Sequence, residues 1–238
     1  MSGVLEQISQ SAPSGRKAAT NQRRPVPATR YFKPVLFLIC LGPLARLGWK
    51  AYSGMLGANP IEVITHSTGD WTLIFLCVTL AITPLRRIAK QPWLIRFRRM
   101  LGLFAFFYAV LHFLTYIWLD KFFDLHEVVK DVGKRPFITA GFTAFVLLIP
   151  LAVTSTAGWI RRLGGKRWQL LHRLIYVSAI AGVIHYIWLV KADLTKPLRF
   201  AVIIGLLLAY RLAVKAIEIT KRKVRSPLPP QTAGISET

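Results

Sequence analysis

A chain of 238 residues that is 53% hydrophobic, with apolar runs along most of its length and a positive mean hydropathy, leaves no room for a sizeable soluble domain beside its membrane spans. Its formal net charge of +22 would suggest nucleic acid in a soluble protein, but the basic residues gather between the apolar runs, where they set membrane orientation instead. Cys40 and Cys77 both fall inside predicted spans, which argues against an extracytoplasmic disulfide or a cysteine-held cluster and leaves them as packing residues.

Residues 1–30 are polar, rich in Ser, Ala, Arg and Pro, and lack the apolar core of a signal peptide, so they read as a disordered basic tail. Six apolar segments follow, at 34–52, 69–85, 100–119, 136–154, 169–190 and 198–217, the first interrupted by Gly42, Pro43 and Arg46. The predicted fold class is therefore all-α, a polytopic six-helix membrane bundle over 31–218 with a short tail at 219–238. Lys and Arg number six between Arg16 and Lys33, six in 86–99, four in 155–168 and four in KRKVR near the end. The positive-inside rule then predicts both termini and those two loops to be cytoplasmic. Glu62, Asp70, Asp120, Asp124, Glu127, Asp131 and Asp193 fall on the opposite side, with Trp118 and Trp188 closing helices there and Trp93, Trp159 and Trp168 near the inner interface.

The fifth segment carries His172 and His185 in a run apolar enough for hydrocarbon, and buried imidazoles need partners there. Haem iron is the expected partner. Thirteen residues separate the two by roughly 20 Å along a helix, one near each leaflet, and by about 140° in azimuth, unless a distortion near Gly182 brings them round. On the third span, entered from the cytoplasm, His112 lies ~18 Å deep. His112 and His185 thus share a depth on different helices, as two axial ligands of one b-type haem require. The level of His172 is met on the third helix by Arg98 and Arg99. Either His172 ligates a second haem with another partner, or it hydrogen-bonds a haem or a quinone while the arginines meet propionates, phosphates or lipid. His66, in HSTGDW, is read as a loop or capping residue at the outer interface, with third ligand or substrate contact as the alternatives, and His126 as surface.

No carboxylate is predicted well inside a span, as proton pumps and cation transporters need, and no GxGxxG element, P-loop or soluble dinucleotide domain is present. Electron donor and acceptor are then separate molecules. The other readings are a stand-alone ferric reductase or oxidase-type haem protein and a non-redox transporter.

At these residues the sequence resembles the YedZ/MsrQ family of the ferric-reductase-like transmembrane superfamily. The matching stretches are GANPIEVITHSTGDW (57–71), ITPLRRIAKQPWLIRFRRMLGL (82–103), LHFLTY (111–116), RPFITAG (135–141), TSTAG (154–158), KRWQLLHRLIY (166–176) and IHYIWLVK (184–191). The resemblance implies a multi-pass subunit of the bacterial inner membrane that takes electrons from respiratory quinol and passes them to MsrP, a periplasmic molybdenum-cofactor enzyme reducing methionine sulfoxide. It implies haem b, one or two, held by His112, His172 and His185, and also FMN. Membrane lipid is an expected partner and nucleic acid is not, and methionine sulfoxide reduction itself is expected on the partner. The wider superfamily has two histidines on the third span where this sequence has only His112. Asp120, Asp124, Glu127, Asp131 and Asp193, among Lys121, Lys130, Lys134 and Arg135, are the expected docking face.

Overall fold

The computed structural model describes residues 28–190 and 192–225, and every regular element among them is helical. α1 (Ala28–Tyr52) contains Pro34 and Pro43 and packs at the margin of the bundle against α2 and α3. Beside Pro43 the hydroxyl of Tyr108 is inserted into the ladder of α1. It accepts from the Leu44 N–H (3.1 Å) and donates to the Cys40 carbonyl (2.9 Å), the pair an unbroken helix would join directly.

α2 (Pro60–Ile88) starts nine residues before the predicted span. Its start is capped: Asn59 accepts from the Glu62 N–H and donates to the Glu62 carboxylate at 2.9 Å, and Pro60 occupies the first helical position. Glu62 and His66 are therefore helical, which corrects the reading of His66 as a loop residue just before the second span. A single 3-10 turn (Pro92–Leu94) leads into α3 (Ile95–Thr115), extended by a π-helical turn at Tyr116–Asp120. α3 thus starts five residues before the predicted span, and Arg98 and Arg99 lie in its first turns, on the third helix as expected.

Phe122 and Phe123, both with positive φ (48° and 63°), turn the chain into α4 (Leu125–Lys134), an amphipathic helix where the sequence suggested an acidic loop. Asp124 caps it by accepting from the Glu127 N–H, and Val128 and Asp131 face inward. α5 (Pro136–Val153) follows. The predicted fifth span is not one straight helix. α6 (Ala157–Leu171) is broken at Gly164, whose φ of +73° suits glycine, and meets α7 (Leu174–Leu189) at a 41° bend across His172 and Arg173. α7 runs unbroken through Gly182, so the distortion lies ten residues earlier than expected. α8 (Thr195–Arg225) completes the fold.

Among the described residues five helices are long and apolar enough to cross a membrane, six if the bent α6–α7 pair is one span. Of the expected tails, only 28–30 and 219–225 are described, as the ends of α1 and α8; the rest lies outside the described residues.

Two helix pairs form the centre, α2 with α3 and α5 with α7, and α8 lies across α2 and α7. Lipid offers no hydrophobic driving force between helices, so close backbone approach through small residues does the packing. Ala105 on α3 and Ala179 and Ser178 on α7 are fully buried, and the Ser178 hydroxyl donates to the Ala144 carbonyl of α5 at 2.8 Å. Cys40 and Cys77 are buried free thiols.

Candidate functional site

Between the two pairs lies a cavity of about 630 Å³. Leu73, Leu76, Phe113, Phe145 and Leu148 line its apolar depth, while Asn59, Glu62, His66, Asp70, Asp120 and Arg135 stand around its polar end. His112 of α3 and His185 of α7 both line it, with ring centroids 6.1 Å apart and ring planes at 72°.

The two rings are seated alike. His112 leans on Gly69 of α2, where an added Cβ would stand 3.1 Å from the ring, and its Nδ1 lies 3.0 Å from the Thr65 carbonyl, four residues before that glycine. His185 leans on Gly141 of α5, where a Cβ would stand 2.7 Å from Nδ1, and its Nδ1 lies 2.6 Å from the Phe137 carbonyl, again four residues before the glycine. A carbonyl only accepts, so each Nδ1 carries the proton and each Nε2 presents a lone pair. Donation of the second ring N–H to a backbone carbonyl is the usual way a ligating histidine is oriented. The Thr68 hydroxyl stands 3.5 Å from His112 Nδ1 as well.

His172 is at the bend between α6 and α7, away from this cavity. Its ring stacks on Trp168 with centroids 3.9 Å apart, and its Nδ1 donates to the Trp168 carbonyl at 3.1 Å. The Trp168 indole N–H donates to the Thr154 carbonyl at 2.8 Å, tying this corner to the end of α5. His172 Nε2 is buried without a protein partner among the described residues. Arg98 is half-buried nearby and Arg99 is exposed. His66 stands at the cavity mouth, 3.7 Å from Glu62, and His126 is exposed.

The expected docking acids are not equivalent. Asp131 is buried, 2.6 Å from the Lys121 ammonium, 3.4 Å from Arg135 and 3.1 Å from the Tyr116 hydroxyl. The Lys121 hydrogen bond, with help from Tyr116, holds its carboxyl below the usual carboxylate range. Asp124 is the α4 cap, and Glu127 pairs with Lys130 at 2.8 Å in the open.

Sequence reasoning missed Gly69 and Gly141, because a seat on a neighbouring helix leaves no spacing signal. It also missed Arg211, which the sequence does signal as an arginine deep in the last apolar run; its Nη2 donates to the Leu80 carbonyl at 2.7 Å.

Residues 68–183 match the family described as ferric reductase like transmembrane component. The chain is 60% identical over 187 residues to the protein-methionine-sulfoxide reductase heme-binding subunit MsrQ of Herminiimonas arsenicoxydans, covering 78% of this chain and 86% of the relative. It is 54% identical to the protein of the same description from Rhodospirillum rubrum (81% and 91% covered) and 52% identical to that from Polaromonas naphthalenivorans (75% and 83%).

Proposed function

The chain belongs to the MsrQ family of protein-methionine-sulfoxide reductase heme-binding subunits, and from that premise we propose that it binds haem b between His112 and His185 and relays electrons from membrane quinol to a periplasmic MsrP-like catalytic subunit. The observation that carries the reading is the matched seating of the two rings on opposite walls of one cavity.

The residues fit the group. His112 and His185 line one cavity with ring centres 6.1 Å apart and both Nδ1 atoms engaged by carbonyls, so their two Nε2 lone pairs would be the ones to hold a metal-centred group. The apolar lining excludes water from a flat apolar macrocycle, and Arg135 supplies a cation at the mouth for its carboxylates. When bound, haem supplies an iron that passes one electron at a time. His112 and His185 are the residues that would hold the iron, the carbonyls of Thr65 and Phe137 keep both rings in one tautomer, and Gly69 and Gly141 leave the space that this needs.

In this reading both termini are cytoplasmic, the membrane is the bacterial inner membrane, and the cavity opens towards the periplasm, where the partner docks. The domain limits are 31–218 for the haem-binding bundle, with tails on either side. His172, with an Nδ1–H seated on a carbonyl and a free Nε2, is the candidate ligand for a second haem nearer the cytoplasm. FMN is carried by the family resemblance alone. Anaerobic addition of a quinol to the purified, haem-loaded protein tests the relay: the haem should be reduced by quinol and not by NADPH alone. Rapid reduction by NADPH would favour a stand-alone ferric reductase or oxidase, and a protein with no haem a transporter.

A further inference from the structure

Arg211 sits on α8 one helical turn, or ~6 Å, inside the exposed Lys215 and within the apolar run of that span, where a charged side chain is costly without partners. Its Nη1 donates to the Tyr176 hydroxyl of α7 at 2.8 Å, its Nη2 to the Leu80 carbonyl of α2, and the guanidinium lies 5.2 Å from the Tyr176 ring centre. Arg98 of α3 approaches the same hydroxyl. Two guanidiniums therefore converge on one phenol, and among the described residues no carboxylate pairs with either. The ion pair at this end, Arg87 with Glu218 at 3.1 Å, lies on the exposed rim.

The side-chain polar atoms that are buried without a protein partner, among the described residues, include Arg211 Nε, Thr83 Oγ1 and Thr79 Oγ1. Thr79 adjoins the Leu80 carbonyl that Arg211 holds. Thr83 and Arg211 line one cavity of about 160 Å³ between α2 and α8, whose rim carries Arg87, Lys215 and Glu218. Three cations face one carboxylate there, and the unused atoms of its lining are the Arg211 Nε–H and the Thr83 hydroxyl. Such a wall stabilises an acceptor-rich anion, and leaving buried cations unpaired is costly.

We infer that this cavity is a binding site for a phosphate group, with Arg211 and Thr83 as its inner wall and Arg87 and Lys215 as its entrance. Basic pockets between membrane helices on the cytoplasmic side are suited to anionic lipid headgroups, and α8 opens the cavity to the position such headgroups occupy. A lipid phosphodiester and a soluble phosphate share this chemistry, and experiment separates them.

The full-length protein is placed in nanodiscs of phosphatidylcholine with or without phosphatidylglycerol, and retained lipid is counted by native mass spectrometry alongside haem per polypeptide. Wild type should retain phosphatidylglycerol, and Arg211→Gln should weaken retention about tenfold, the scale of one lost charge-assisted hydrogen bond, with haem content unchanged. Lys215→Gln, an exposed rim change that leaves the fold intact, should weaken it less; it decides the matter if Arg211→Gln does not fold. Stabilisation of wild type, and not of the variants, by inorganic phosphate in phosphatidylcholine discs would assign the site to a soluble phosphate. The inference is overturned if neither ligand distinguishes wild type from the variants. It is equally overturned if Arg211→Gln loses haem while keeping its lipid, because the guanidinium then serves haem carboxylates.

Discussion

Gly141 lies so close under the His185 ring that a single methyl group placed on it would stand 2.7 Å from Nδ1. That contact is too short for any side chain, so Gly141→Ala must push the ring off the Phe137 carbonyl or force α5 and α7 apart. Outer contacts that orient a metal-bound histidine are worth about 10- to 100-fold in metal affinity. Haem affinity in Gly141→Ala should fall by a comparable factor in titration of the haem-free protein, and by less in Gly69→Ala, where the added Cβ would stand 3.1 Å from the ring. Wild-type haem affinity with an unchanged spectrum in Gly141→Ala would mean that the seat is dispensable.

Asp131 should behave as a structural anion. Asp131→Asn removes the charged acceptor of Lys121 and Tyr116 and should cost about 1–3 kcal/mol. The folded carboxyl is held below its ordinary value, so this stability is present above the unfolded carboxylate value of ~3.9 and is lost as pH falls through the folded one. Thermal unfolding of wild type and variant should therefore differ at neutral pH and converge in strong acid. A difference that grows below pH ~4 would contradict the assignment.

Tyr108→Phe deletes the hydroxyl that bridges Leu44 and Cys40 and leaves a helix N–H and a carbonyl without their partner. A loss of about 1–3 kcal/mol is expected in thermal unfolding, with haem content retained because the change acts on α1. Loss of haem in step with stability would show that α1 is needed to close the site.

Glu127, paired with Lys130 in the open, is the acid on α4 that faces solvent, since Asp131 is buried and Asp124 is a cap. Glu127→Lys should slow electron transfer to the proposed periplasmic subunit and change its salt dependence, with haem unaffected. Stopped-flow transfer indifferent to the change at low salt would move docking to the Asn59–Asp70 end of α2.

The spans and the equal depth of His112 and His185 were legible because apolar runs and helix rise are local properties of the chain. The early start of α2 was written in Asn59, Pro60 and Glu62 as a capping signature, but a hydropathy reading passes over a polar first turn. α4 was hidden for the same reason, its apolar positions being few and spaced around one face. The bend at His172 was illegible because the basic, glycine-bearing stretch before it is helical without being apolar, so the run from 169 looked continuous. The glycine seats could not be read at all, since each joins residues 43 or 44 positions apart on different helices.

Haem per polypeptide by pyridine haemochrome, with optical and EPR spectra, in wild type and in single His→Ala variants puts the pairing of His112 with His185 to the most direct test. His112→Ala and His185→Ala should each abolish the same low-spin, two-imidazole signal and lower haem content together, because either loss leaves a five-coordinate or empty site. His172→Ala should leave that signal in place. Wild-type haem content and spectra in either the His112 or the His185 variant would contradict the account.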